Sequence, residues 1–222
     1  AGELRLEGRL GYANYARKTP IPDRAIYRIY SMTKPIIAAL TVLLVQKRLM
    51  RLSDPIAKYD PGFTKMRVLT PNGSLEPACR LITLEDLLLH RAGFSYEFNL
   101  GCHIAPYYRE AEILADGARD LSEMIRALAQ LPLAFHPKER WLYSMSIDVL
   151  AHLVECVTGR RIDALLQEYI FDPLNMRDTG FRLSNTQLPR LMNNYGRYKL
   201  EAIAPLKKIQ HVLEENNVSR MY

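Results

Sequence analysis

The chain lacks any hydrophobic stretch long enough to cross a bilayer. Its longest nearly apolar run, Pro35 to Val45, is far short of the roughly 20 residues a membrane helix needs, and Thr41 interrupts it. A basic patch followed by an apolar core is missing at the start, so no signal peptide is expected and a cytoplasmic location is the simpler reading. The first residue is Ala1 rather than methionine, so residues before it are expected. Cysteine is scarce: Cys79, Cys102 and Cys156 are odd in number, far apart and in no CxxC pair, which argues against a disulfide framework and a zinc site. His90, His103, His136 and His152 form no HExxH or paired ligand spacing, and their expected roles are structural or superficial. Gly-x-Ser-x-Gly is absent, as is a Gly-rich loop of phosphate-cradling spacing. No metal or organic cofactor is therefore expected. One-sided charge is lacking too: 30 basic and 24 acidic residues leave +6. The basic groups (Lys47-Arg48 with Arg51, Arg160-Arg161, Lys207-Lys208) fall near probable helix ends without interleaved aromatics, so neither nucleic acid nor membrane is an expected partner.

What is present is an ordinary globular composition, 48% hydrophobic and 24% charged, which rules out disordered, collagen-like and coiled-coil classes. Residues 4 to 16, around Gly8 and Gly11, predict an early strand pair with a turn, and the alternation from Asp23 to Tyr30 predicts a strand or extended approach. The clearest helix follows, with Ser31 as its expected cap, Pro35 in its first turn, and a run from Ile36 to Val45 so apolar that burial on all sides is expected. From Tyr59 to Arg80 proline and glycine predict mostly loop. Further helices are predicted from Leu84 to His90 (capped by Thr83), Leu121 to Leu131 (capped by Asp120 or Ser122), Ser146 to Thr158 (closed by Gly159), and Asp163 to Ile170. An amphipathic stretch near Ile203 to Leu213 is expected to pack on its own body. No repeat or low-complexity tract occurs.

Two short constellations carry possible chemistry. Ser31-Met32-Thr33-Lys34 is a Ser-x-x-Lys opening the most apolar helix, and i and i+3 share a helix face, so the Lys34 amine can reach the Ser31 hydroxyl. A serine hydroxyl is a weak nucleophile that needs a neighbouring base, and a desolvated lysine can serve as one. Free N–H groups at a helix start also favour the negative charge of acyl transfer. The plain alternative is an end-of-helix serine followed by a surface lysine. The second constellation is Trp141-Leu142-Tyr143-Ser144-Met145-Ser146, where Tyr143 at the mouth of a loop could relay a proton or could be a core aromatic. Glu85-Asp86 are adjacent on a helix and face apart, so they are no acid/base pair.

These segments resemble a known family. Ser31-Met32-Thr33-Lys34-Pro35, then Leu81-Ile82-Thr83-Leu84-Glu85-Asp86-Leu87-Leu88-Leu89-His90-Arg91-Ala92-Gly93, then Tyr143-Ser144-Met145, are similar to the serine β-lactamase-related group. Within it the chain most resembles the class C β-lactamase-like esterases, or family VIII carboxylesterases. Gly11-Tyr12-Ala13, Ile170-Phe171-Asp172-Pro173-Leu174-Asn175-Met176 and Asp178-Thr179-Gly180-Phe181 extend the resemblance over about residues 8 to 181. It implies an α+β, β-lactamase/transpeptidase-like (DD-peptidase) fold, with an antiparallel sheet flanked by helices and a mostly helical lobe. Residues 1–50 would begin the α/β domain and 51–222 would form the helical lobe. By the same resemblance Ser31 is the acylated nucleophile, Lys34 its base and Tyr143 the proton relay.

Two departures qualify the match. The β-lactamases carry, two residues after the tyrosine, an asparagine that binds the antibiotic's amide side chain. Met145 stands there and cannot donate that hydrogen bond, which makes it a substrate-binding position favouring esters. The family's third motif, a Lys/His-Thr-Gly or Trp-x-Gly strand supplying one oxyanion N–H, is absent; Thr158-Gly159 and Thr179-Gly180 do not replace it. Loss of one such donor costs roughly 2.7–4 kcal/mol. The later sheet strands and last helix of the family are expected to be missing with it. The expectation is a serine hydrolase acting on small-molecule carboxylic esters through an acyl-enzyme. A β-lactamase, D-peptidase or acyltransferase on the same residues is a near rival, and a non-catalytic interaction protein a distant one.

Overall fold

The computed structural model describes residues 6–99, 101–114, 119–197 and 203–205. These fall into two compact units, one of residues 31–177 and one of residues 6–30 with 178–197 and 203–205.

The 31–177 unit is helical and organised around α5 (Ser146–Thr158), which packs against α1 (Thr33–Gln46), α2 (Leu84–Leu88), α4 (Leu121–Leu128) and α6 (Ile162–Leu166). The first nine residues of α5, Ser146 to Val154, are all buried, as a helix surrounded by others requires. Gly159 ends it at φ +64°, the left-handed conformation that closes helices. In α1, Pro35 sits near the start, where its missing N–H is harmless. Ile37, Leu40, Thr41 and Leu44 make the buried stripe. Burial on all sides, as the composition suggested, is not found: Val42 is 53% exposed. The α5 and α6 helices pack on α1 without enclosing it, and an apolar composition alone does not reveal how many neighbours a helix has.

Both short helices with clear caps form as their sequences dictate. Thr83 accepts from the Asp86 N–H while Asp86 accepts from the Thr83 N–H, and Asp120 and Glu123 do the same at the start of α4. Asp86 is buried, and burial pushes its pKa up. Its bidentate pair with Arg80 (2.8 and 2.7 Å) and the Thr83 hydrogen bonds outweigh that and hold the carboxyl below its usual value. After α6 the chain widens into one π-helical turn, Gln167–Phe171, before Pro173.

The stretch expected as loop holds a hairpin. β3 (Arg67–Leu69) pairs antiparallel with β4 (Leu75–Pro77) across Pro71-Asn72-Gly73, with Val68 opposite Glu76. Further along, α3 (Ala105–Glu110) buries its Tyr108 completely. Gly93 marks the tightest approach. At φ +94°, an added Cβ would meet the Phe135 carbonyl oxygen at 2.5 Å and Leu133 Cβ at 3.0 Å. Gly93→Ala is therefore expected to destabilise the protein by about 3 kcal/mol, read as a lower urea midpoint.

In the other unit, β1 (Tyr12–Asn14) pairs with β2 (Thr19–Pro20), and β5 (Tyr195–Arg197) with β6 (Ile203–Pro205), both antiparallel. The strand expected over Asp23 to Tyr30 does not form: Arg24 turns at φ +52°, Tyr30 already belongs to the next turn, and only Ile26 pairs, in an isolated parallel bridge to Leu191. Asp178 ties this unit together, accepting from Arg24 (2.7 Å) and from both terminal nitrogens of Arg190 (2.8 and 2.5 Å). Arg190 first, helped by Gln187 and Arg24, holds its carboxyl well below the usual carboxylate range. The amphipathic stretch expected from Ile203 starts instead as strand β6, since Pro205 disfavours helix in the residue before it; residues 206–213 lie outside the described residues. Among the described residues the sheets are three antiparallel two-stranded pairs.

Candidate active site

Ser31 lies in a single 3-10 turn, Tyr30–Met32, that leads into α1, and Tyr30 before it is held at φ +43°, a strained value for a non-glycine residue. Ser31 does not cap the helix. Met32 occupies the N-cap position and makes no side-chain cap bond. The Ser31 hydroxyl is thus left for other partners: its Oγ accepts from Lys34 Nζ at 3.2 Å and from the Tyr143 hydroxyl at 2.7 Å. The first contact is the i, i+3 pairing that the sequence spacing implied. The second joins residues 112 positions apart.

Aromatic faces hold the lysine. Lys34 Nζ lies 5.0 Å from the Tyr143 ring centroid and 5.5 Å from that of Tyr96. Tyr143 is pinned in turn: its carbonyl accepts from Asn99 Nδ2 at 3.1 Å, and its ring packs 5.0 Å from His90 and 5.6 Å from Tyr96. His90 Nδ1 accepts the Ser144 N–H at 3.3 Å, so the ring is neutral with its proton on Nε2. Burial, reinforced by the Lys34 charge, pushes the His90 pKa down to about 4. Ser31, Lys34 and Tyr143 are brought together. Met145 is not part of this hydrogen-bonded group; its side chain is fully buried and its N–H donates to the Ser95 carbonyl at 3.4 Å.

Sequence reasoning did not single out Tyr96, Asn99 or Asp148. Tyr96 and Asn99 sit in a stretch without periodicity. Asp148 did carry a signal, as a lone acid within the buried first half of α5. Among the described residues its Oδ2 has no hydrogen-bond partner, and burial pushes the carboxyl up to about 7, against the opposing pull of Lys34. With a folded pKa above the unfolded 3.8, its contribution to stability is fully present below pH 3.8 and is lost as pH rises through about 7. Asp148→Asn is expected to stabilise the protein at pH 8 by on the order of 2 kcal/mol and to change little at pH 4, measured by urea unfolding at both values.

Among the described residues no cluster of three or more histidine, cysteine or acidic side chains could hold a metal ion, and no helix is long and apolar enough to cross a membrane. All three cysteines are free.

The beta-lactamase family profile matches residues 1–211. The chain belongs to the beta-lactamase family. Esterase EstB of Burkholderia gladioli is 34% identical over 184 residues, which cover 81% of this chain and 44% of that protein. Acyltransferase mokF of Monascus pilosus is 32% identical over 172 residues, 74% of this chain and 40% of its own. The solved structure of EstCE1, described as a hydrolase with promiscuous acyltransferase activity, matches with a TM-score of 0.73 at 27% identity, covering 88% of this chain and 49% of that one. The chain thus has the beta-lactamase-family fold, and it spans less than half the length of these two relatives and about half of that solved chain.

Proposed function

We propose that this beta-lactamase-family chain carries the nucleophile, base and proton relay of a serine hydrolase that cleaves carboxylic esters through an acyl-enzyme. The observation that carries the reading is the convergence of Lys34 Nζ and the Tyr143 hydroxyl on the single oxygen Ser31 Oγ. In the first half-reaction Lys34, which serves as base once it has given up its own proton, takes the proton of Ser31 Oγ as that oxygen attacks the ester carbonyl. The tetrahedral oxyanion forms at the start of α1, the end of a helix whose dipole favours negative charge. Tyr143 gives its proton to the departing alkoxide and regains one from Lys34, so the serine proton ends on the alcohol. Water repeats the sequence in reverse roles to release the acid.

An apolar, buried Met145 provides no hydrogen-bond donor for the amide of a β-lactam, and EstB is named as an esterase; both favour esters. Acyl transfer to an alcohol is the second reading, favoured by mokF and by the description of EstCE1. It uses the same acyl-enzyme with an alcohol replacing water. Side-by-side turnover of p-nitrophenyl butyrate and nitrocefin tests the substrate class. The esterase reading expects kcat/KM at least ~100-fold higher for the ester. A preference for nitrocefin would overturn it, and transfer of the butyryl group to added alcohol faster than hydrolysis would decide for the acyltransferase.

A further inference from the structure

Beside the Ser31 cluster lies a cleft of about 560 Å³ lined by Phe98, Asn99, His103, Phe135, Arg140 and Trp141, with Leu142 at its end next to Tyr143. Its size suits a small organic ligand. Two large aromatic side chains on its walls are left to solvent, Trp141 at 64% and Phe98 at 58% exposure. Both walls lead by aromatic contact to Tyr143. Phe98 stacks on Tyr96 at 4.6 Å, and Tyr96 packs 5.6 Å from Tyr143. Trp141 meets His90 edge-on at 6.4 Å, and His90 packs 5.0 Å from Tyr143. The Asn99 amide on the same wall donates to the Tyr143 carbonyl. A ligand in this cleft therefore touches Asn99, which holds the proposed proton relay directly, and Phe98 and Trp141, which pack on the two rings that flank it.

The cleft also has a sign of charge. The Arg140 guanidinium lies 4.8 Å from the Phe135 ring centroid and donates to the Ala134 carbonyl at 3.3 Å. Among the described residues it has no carboxylate partner, and no acidic side chain lines the cleft. His103 does not balance it: its Nε2 is 2.7 Å from the Leu69 carbonyl, where it acts as a donor. Flat apolar walls beside one unpaired, planar cation match one kind of occupant.

We propose that this cleft binds the larger half of the substrate, a flat apolar group bearing a carboxylate, with Arg140 pairing the carboxylate. Its place in the reaction rests on the esterase reading above, whereas the binding can be read without turnover.

Trp141 is the one tryptophan in the 222-residue chain, so its fluorescence reports the cleft directly. Titration with 4-tert-butylbenzoate is expected to give a saturable change, with the neutral 4-tert-butylbenzamide binding about tenfold more weakly. Arg140→Gln should abolish that preference while binding the amide as the unmodified chain does, which also shows that the variant is folded. Ser31→Ala should bind both ligands normally. Equal affinity for the two ligands, a preference surviving in Arg140→Gln, or no saturable change at all would overturn the proposal. A chain that binds the benzoate through Arg140 but hydrolyses no ester would leave the cleft standing and remove the esterase reading. Hydrolysis that depends on Ser31, without discrimination by Arg140, would do the opposite.

Discussion

Ser31→Ala is expected to reduce hydrolysis of p-nitrophenyl butyrate by ~10⁴-fold or more, with unfolding behaviour unchanged. The size follows from the role: removing the attacking oxygen removes the covalent path, so whatever remains reflects binding and water attack alone. The unchanged stability follows from the surroundings. Ser31 is exposed, fills no core position and caps no helix, and its side-chain hydrogen bonds come from Lys34 and Tyr143. Combining Ser31→Ala with Lys34→Ala should add little further loss, because groups that act as one unit fail together. A residual rate within tenfold of the unmodified protein would assign the hydrolysis to another group.

Tyr143→Phe separates the relay from the scaffold. The variant keeps the ring, and with it the contacts to His90, Tyr96 and Lys34, and it deletes only the hydroxyl 2.7 Å from Ser31 Oγ. The expected result is a fall in kcat of ~10²–10⁴-fold with KM little changed. The loss should depend on the alcohol. An ethyl ester, whose alkoxide must be protonated as it leaves, should lose far more than a p-nitrophenyl ester, whose phenolate leaves without help. Equal losses on both esters would place Tyr143 in positioning rather than proton transfer, and pre-steady-state release of p-nitrophenol distinguishes the two.

Much of this was legible from local chemistry. Capping residues fixed the starts of α2 and α4, and Gly159 the end of α5, because a helix end is decided by one or two side chains or one backbone angle. The Ser31–Lys34 contact was legible for the same reason, being one turn of helix. Ser31 as a cap was not, since the hydroxyl engages Tyr143 and Lys34 instead of the backbone, and Tyr143 comes from 112 residues away. The β3–β4 hairpin was hidden by its strands, three residues each and too short for alternation to register among prolines. Tyr96, Asn99 and the cleft walls were illegible because their meaning lies in what they face. Neither periodicity nor composition encodes that Phe98, Phe135 and Trp141 meet around one space. The family resemblance supplied what local rules could not, the pairing of Tyr143 with Ser31.

The most direct test of the central claim is intact-mass analysis of the chain before and after a fluorophosphonate probe, followed by peptide mapping. The account predicts a single adduct, on Ser31, that is lost in Ser31→Ala and slowed in Lys34→Ala. An adduct on a different serine, or none on a chain whose unfolding transition shows it to be folded, would contradict the assignment of Ser31 as nucleophile.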